Sequence, residues 1–191
     1  NAAKEIGLIN DTLKKINAAF EYIGKNIKWN KVIASIPYKD LSTVFENKTG
    51  NSAEINIMLI NLLKLLGFDA NMVMLSSRGN GEINELYPMT GQFNYIIASV
   101  TLNGKEILMD ATDPFTKPGM LPERCLTGLG RLMKEKGSRF VSLKPTEKSA
   151  RFEMLTASLI PASGEISGSS VISKAGYGGH EMREQIQEKG E

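Results

Sequence analysis

The chain has 191 residues, of which 41% are apolar and 23% are charged, values typical of a folded globular domain rather than a disordered or fibrous protein. Its 23 basic and 21 acidic side chains give a net charge of +2 and are spread along the chain, which argues against a nucleic-acid-binding protein. The most apolar run, residues 55–68, is interrupted by Asn56, Asn61 and Lys64, so no membrane span is predicted.

The rarest residues exclude most metal and nucleophile chemistry. Cys125 is the only cysteine and His180 is the only histidine. An internal disulfide therefore cannot form, and a zinc site of thiolates and imidazoles lacks its ligands. We expect no cofactor and no metal site. Since the chain begins at Asn1 with no export signal before the folded part, we also expect a processed product or an excised part of a longer protein.

Helical patterns occupy the first third of the chain. Residues 3–28 carry apolar side chains at alternating steps of three and four, which predicts one long amphipathic helix packed on a core, with a coiled-coil seam as the alternative. A short helix is expected over residues 40–47. Another helix should run from Asn51 to Gly67, because Asn51 and Glu54 match a capping box. Its apolar residues cover nearly the whole circumference, which predicts a central helix buried on all sides.

Strand patterns follow the central helix. Strands are expected over residues 70–77, 93–102, 105–110, 151–160 and 165–174. Asn103-Gly104 is a hairpin signal. Short helices are expected over residues 129–136 and 181–191. Helices followed by an antiparallel sheet predict the α+β class.

The composition changes near residues 144–150. We therefore predict one domain over residues 1–143 and a β-rich C-terminal extension over residues 144–191, which would be the start of a following domain. Two strands and a polar helix enclose too little core to form a complete domain.

Three sequence blocks resemble the transglutaminase-like superfamily, a papain-like fold with a cysteine nucleophile. The family pattern Gly-x-Cys-x-Asp/Glu opens the core helix, and here it is Gly50-Asn51-Ser52-Ala53-Glu54. The strand that carries the catalytic His, often after Phe-Asn, is here Phe93-Asn94-Tyr95-Ile96-Ile97. The strand that ends in the catalytic Asp is here Ile107-Leu108-Met109-Asp110.

The resemblance covers about residues 20–141. Within the superfamily, the chain looks most like a bacterial branch found inside larger multidomain proteins. It implies a transglutaminase-like/papain-like core, in which N-terminal helices with a buried central helix pack on an antiparallel sheet. By resemblance alone, a periplasmic, envelope-associated or secreted location is favoured.

Two of the three catalytic positions depart from the family pattern. Ser52 occupies the Cys position and Tyr95 the His position, while Asp110 alone matches. A tyrosine, with a pKa near ~10, keeps its proton at neutral pH and cannot serve as the general base. The resemblance therefore implies a degenerate triad and a binding or scaffolding module in a larger protein, with a protein or peptide ligand in the former active-site cleft.

Two other functions stay open. One is a hydrolase or acyltransferase that uses Ser52 with help from Tyr95 or from a group outside this chain. The other is a purely structural spacer domain. An absent general base argues against the first of these.

Each candidate residue also has a structural explanation. Ser52 is common at a helix start, and Asp110 is expected to tie down the turn that follows it. A lone cysteine such as Cys125 is commonly a buried small hydrophobe. His180 is predicted to lie beyond the core domain, and Trp29, which resembles an aromatic lining some family clefts, is predicted to belong to the core.

Overall fold

The computed structural model describes residues 2–87 and 89–190. The chain divides into two compact units, residues 1–146 and residues 147–191. Within the described residues, no helix is both long enough and apolar enough to cross a membrane.

The N-terminal helical pattern forms two helices. Helix α1 spans Ala2–Gly7 and helix α2 spans Thr12–Asn26. The predicted single helix is therefore wrong, because Asp11 adopts an extended backbone and its carboxylate accepts the Lys14 N–H at 2.8 Å, which begins a new helix. The apolar stripe is confirmed in α2, where Ile16, Ala19, Phe20 and Ile23 are buried.

Two short strands and two helices lead to the centre of the first unit. Strand β1 (Lys28–Trp29) pairs in parallel with β2 (Thr49–Gly50), and helix α3 (Leu41–Asn47) lies between them in the chain. Helix α4 spans Ser52–Leu65, and its predicted capping box is present. Most of α4 is buried as predicted, but Leu65 at its C-terminal end is 77% exposed, so the expectation of burial on all sides is wrong there.

Five antiparallel strands form the main sheet. They are β3 (Ala70–Leu75), β4 (Tyr95–Leu102), β5 (Lys105–Met109), β6 (Leu129–Met133) and β7 (Arg139–Ser142). Their order across the sheet is β5-β4-β3-β6-β7. Helix α4 packs against β3 and β4, so the predicted α+β class with a central helix on an antiparallel sheet is confirmed.

The helix predicted over residues 129–136 is a strand instead. Strand β6 pairs with β3, with Leu132 opposite Val73. A Cβ atom at Gly130 would lie 2.7 Å from the Val73 side chain, so this close approach between neighbouring strands requires glycine. Pairing with the sheet therefore overrides the local helical pattern.

The second unit is a long hairpin followed by a helix. Strand β8 (Ala150–Ile160) pairs with β9 (Glu165–Ala175), close to the predicted bounds. Helix α5 spans Gly176–Lys189 and begins five residues earlier than predicted; the last residue of the predicted helix, Glu191, lies outside the described residues. Every residue of β8 is exposed.

Candidate functional site

Ser52 lies in the first turn of α4 and its side chain is fully buried. Its hydroxyl makes two hydrogen bonds with one residue: it donates to the Ala34 carbonyl at 3.0 Å and accepts from the Ala34 N–H at 2.9 Å. Both bonds hold the chain segment before α3. The hydroxyl is therefore engaged in holding this segment, and neither of its bonds involves Tyr95 or Asp110.

The other two predicted positions lie together. Tyr95 begins β4 and Asp110 directly follows β5, so the β4–β5 hairpin brings them to the same end of the sheet. The Tyr95 hydroxyl donates to Asp110 Oδ2 at 2.8 Å, and it lies 3.1 Å from the Thr112 hydroxyl. Both Tyr95 and Asp110 are fully buried. The phenol is thus hydrogen-bonded to a buried carboxylate at this end of the sheet.

The second oxygen of Asp110 is tied to the helix and to the following turn. Asp110 Oδ1 accepts from the Asn56 side chain at 2.9 Å and from the Thr112 N–H and hydroxyl at 3.1 and 2.8 Å. Asn56 also donates to the Ile96 carbonyl and accepts from the Ala111 N–H. The predicted role of Asp110 in the turn is confirmed, and the carboxylate also joins α4 to the sheet.

Two further members of this cluster come from the short 3₁₀ helix Glu123–Cys125. Arg124 donates to the Tyr95 hydroxyl through Nε at 3.2 Å, and through Nη2 to Asp110 Oδ2 at 3.2 Å and Thr112 at 2.6 Å. The Cys125 sulfur lies 3.6 Å from Asp110 Oδ2. Cys125 is buried as predicted, but its place in the site was not foreseen, because no motif or spacing in the sequence links the pair 124–125 to the three family blocks.

The protonation of the cluster follows from burial and from the Asp110 charge. Burial raises the pKa of the Tyr95 phenol well above its usual value, and the nearby Asp110 carboxylate raises it further. The same two causes raise the pKa of the Cys125 thiol. Burial alone would lower the pKa of Arg124, but attraction to Asp110 and the interactions with Tyr95 and Cys125 together outweigh it, and the pKa is raised. At neutral pH the site therefore holds a neutral phenol, a neutral thiol and a guanidinium.

The guanidinium is the part of this cluster nearest solvent. The Arg124 side chain is 22% exposed, and a second carboxylate, that of Asp113, lies 3.6 Å from it. The Trp29 ring centroid lies 4.5 Å from the guanidinium carbon, a cation–π distance. Trp29 is only partly buried at the edge of the core, so the prediction of a core tryptophan is met in part.

His180, the only histidine, belongs to the second unit. It lies in α5, one turn from Glu184, and its Nδ1 is 3.5 Å from that carboxylate.

In the first unit both oxygens of Asp110 already accept hydrogen bonds from protein donors. A metal ion or cofactor that used Asp110 as a ligand would have to displace one of these donors.

Comparisons with known proteins identify the first unit. The model of the transglutaminase-like superfamily matches residues 1–110, more than half of the chain. No curated protein matches the sequence.

Two solved structures are similar at low identity. A candidate protease from Parabacteroides distasonis aligns with a TM-score of 0.46 and 17% identity over 76% of this chain and 26% of that protein. A candidate cysteine protease from Cytophaga hutchinsonii aligns with a TM-score of 0.46 and 15% identity over 91% of this chain and 48% of that protein. The chain thus spans about a quarter and about half of the lengths of these two proteins.

Proposed function

The chain belongs to the transglutaminase-like superfamily, and from this membership we propose that it is a catalytically degenerate member that acts as a binding or scaffolding module within a larger multidomain protein. The proposal concerns residues 1–146. The C-terminal extension would be the start of a following domain, as its exposed hairpin suggests.

The observation that carries this proposal is the hydrogen bond from Tyr95 to Asp110. A working triad needs a base that takes a proton from the nucleophile at neutral pH. Here the phenol is a donor to Asp110 at 2.8 Å, and its pKa is raised by burial, so it holds its proton more firmly than a free tyrosine. Tyr95 therefore cannot accept a proton from a nucleophile.

The Ser52 environment supports the same conclusion. An unactivated hydroxyl is a poor nucleophile. The Ser52 hydroxyl is fully buried and is hydrogen-bonded to both the N–H and the carbonyl of Ala34. Cys125 is no substitute, because a buried thiol with a raised pKa forms little thiolate. Without a nucleophile and a base, binding is the activity that the fold can still support. Arg124 and Trp29 form a partly exposed surface, which fits a module that binds a protein or peptide.

Activity assays test the proposal directly. The protein is incubated with an amine donor and a glutamine-bearing substrate, and separately with a fluorophosphonate serine probe. We expect neither incorporation of the amine nor labelling, and Ser52→Ala should behave like the wild type. Labelling that disappears in Ser52→Ala would overturn the proposal and favour the hydrolase alternative.

A further inference from the structure

Residues 32–39 form a segment without helix or strand that crosses the N-terminal turn of α4, and we call it the strap. Its first half is bound to Ser52. The Ser52 N–H donates to the Val32 carbonyl at 3.1 Å, and the Ser52 hydroxyl makes both of its bonds with Ala34. Asn51 adds a longer bond, 3.3 Å, to the Ile36 carbonyl.

The second half of the strap is bound to Glu54. One oxygen of this carboxylate accepts the N–H groups of Tyr38 and Lys39 at 2.8 and 2.9 Å. The other oxygen accepts the Asn51 N–H at 2.7 Å, which closes the capping box. Glu54 is 2% exposed. Such charge-assisted bonds are stronger than neutral ones, so Glu54 holds both the helix start and the end of the strap.

The strap depends on these bonds because its apolar side chains are only partly buried. Ala34 is buried, but Val32 and Ile33 are each 40% exposed, and Ile36 and Tyr38 are 61% and 66% exposed. Hydrophobic stabilisation scales with the apolar area removed from water. These four large side chains keep 40–66% of their area in water, so they hold the strap in place less firmly than fully buried side chains would.

The N-terminal end of the strap is marked by an unusual backbone conformation. Lys31 has a φ of 67°, in the left-handed region, which costs a non-glycine residue roughly 1 kcal/mol or more. The Trp29 indole donates to the Val32 carbonyl at 3.0 Å and holds this end. At the other end, Asp40 precedes α3 without a side-chain cap. The strap is thus a discrete segment with few anchors outside α4.

We propose that the strap is a closure over position 52: when bound to α4 it shields this position from any molecule in solution, and when its bonds to Glu54 are released it opens locally. The inference goes beyond the proposed function: it concerns only whether position 52 can be reached from solution, and it does not require this position to bind a ligand. Local opening of a weakly packed segment does not require unfolding of the sheet.

Thiol modification tests the closure. Ser52→Cys and Ser163→Cys are each made in a Cys125→Ser background; Ser163 lies in the exposed turn between β8 and β9. We expect Cys at position 52 to react with Ellman's reagent at least about a hundredfold more slowly than at position 163. Adding Glu54→Gln should speed the reaction at position 52 about tenfold or more, whereas the exposed control Glu46→Gln should not change it. Equal rates at positions 52 and 163 would overturn the proposal.

Hydrogen exchange tests the opening of the strap in the unmodified protein, so that no substitution affects the structure being measured. The strap amides of Ala34, Tyr38 and Lys39 should exchange through a local opening, faster and with less denaturant dependence than amides of β4. If they exchanged only with global unfolding, the strap would not open by itself and the proposal would fail. Failure of the proposed function would appear differently, as labelling of wild-type Ser52 by the fluorophosphonate probe.

Discussion

At the residue scale, Asp110 is the centre of the site. It is a fully buried carboxylate that accepts hydrogen bonds from Asn56 on α4, from Tyr95 on β4 and from Arg124 in the 3₁₀ helix before β6. An ion of this kind is tolerated only where an opposite charge and several donors replace its water. Losing the negative charge would leave Arg124 with less compensation in a largely buried place.

We predict that Asp110→Asn lowers the free energy of unfolding by about 3 kcal/mol, because breaking a buried ion pair leaves the partner charge uncompensated. The matched control is Asp69→Asn, which also removes an ion pair, to Lys134, but at a side chain that is 56% exposed. That change should cost less than about 1 kcal/mol. Urea denaturation of both variants measures the difference, and equal losses would contradict the central role of Asp110.

The raised pKa of Cys125 predicts a pH dependence. In the unfolded chain the thiol ionises near its usual value of 9.0, whereas burial keeps it protonated in the folded state. Its contribution to stability is therefore complete below about pH 9 and decreases as the pH rises above that value. Tyr95 acts in the same direction at higher pH, because its pKa is raised from 10.0.

Cys125→Ser should weaken this alkaline loss. Between about pH 9 and pH 10.5, the free energy of unfolding of the wild type should fall more steeply, by up to about 1.4 kcal/mol per pH unit, than that of the variant. Chemical denaturation at several pH values under reducing conditions measures both slopes. Identical slopes would mean that Cys125 titrates similarly in the folded and unfolded states.

At the element scale, the start of α4 holds the candidate site together. Its capping box joins Asn51 to Glu54, and the next turn carries Asn56 into the Asp110 cluster. The same helix therefore positions Ser52 and orients Asp110. This arrangement makes α4 the organising element of the first unit.

We predict that Asn51→Ala destabilises the protein by about 1–2 kcal/mol, since it removes the acceptor for the Glu54 N–H. The control is Asp40→Ala at the N-cap of α3, where the side chain makes no capping hydrogen bond. That substitution should change stability by less than about 0.5 kcal/mol. Thermal and urea unfolding distinguish the two, and a similar cost at both positions would contradict the role assigned to the capping box.

At the scale of the whole molecule, the apolar core lies in the first unit. Every residue of the three buried apolar clusters falls between Ile6 and Leu143. In the hairpin of the second unit, by contrast, large side chains such as Phe152, Leu155 and Ile166 are 64–73% exposed. Two strands without a covering layer are marginal by themselves.

We therefore expect the two units to differ in protection from hydrogen exchange. Amides of β8 and β9 should exchange at least about a hundredfold faster than amides of β3 and β4 in the same chain. Limited proteolysis should cut first within residues 144–175 and leave a stable fragment close to the predicted domain of residues 1–143. Equal protection in both sheets would mean that the hairpin is covered in solution.

Much of the local structure could be predicted because it depends on neighbouring residues. The capping box at Asn51 and Glu54 is present as expected. Asn103 and Gly104 both have positive φ, 50° and 76°, as their hairpin turn requires. The family blocks also led to Tyr95 and Asp110, which the structure brings together.

The sequence by itself determined the class of the fold and most of its elements, since periodicity, caps and turns are encoded over a few neighbouring residues. Only the tertiary structure decided that residues 129–133 form a strand. It also decided that Arg124 and Cys125 lie beside Asp110, and that the Ser52 hydroxyl is hydrogen-bonded to Ala34. These features depend on contacts between residues far apart in the chain. Local patterns do not determine these contacts, because strand pairing depends on how the elements pack together.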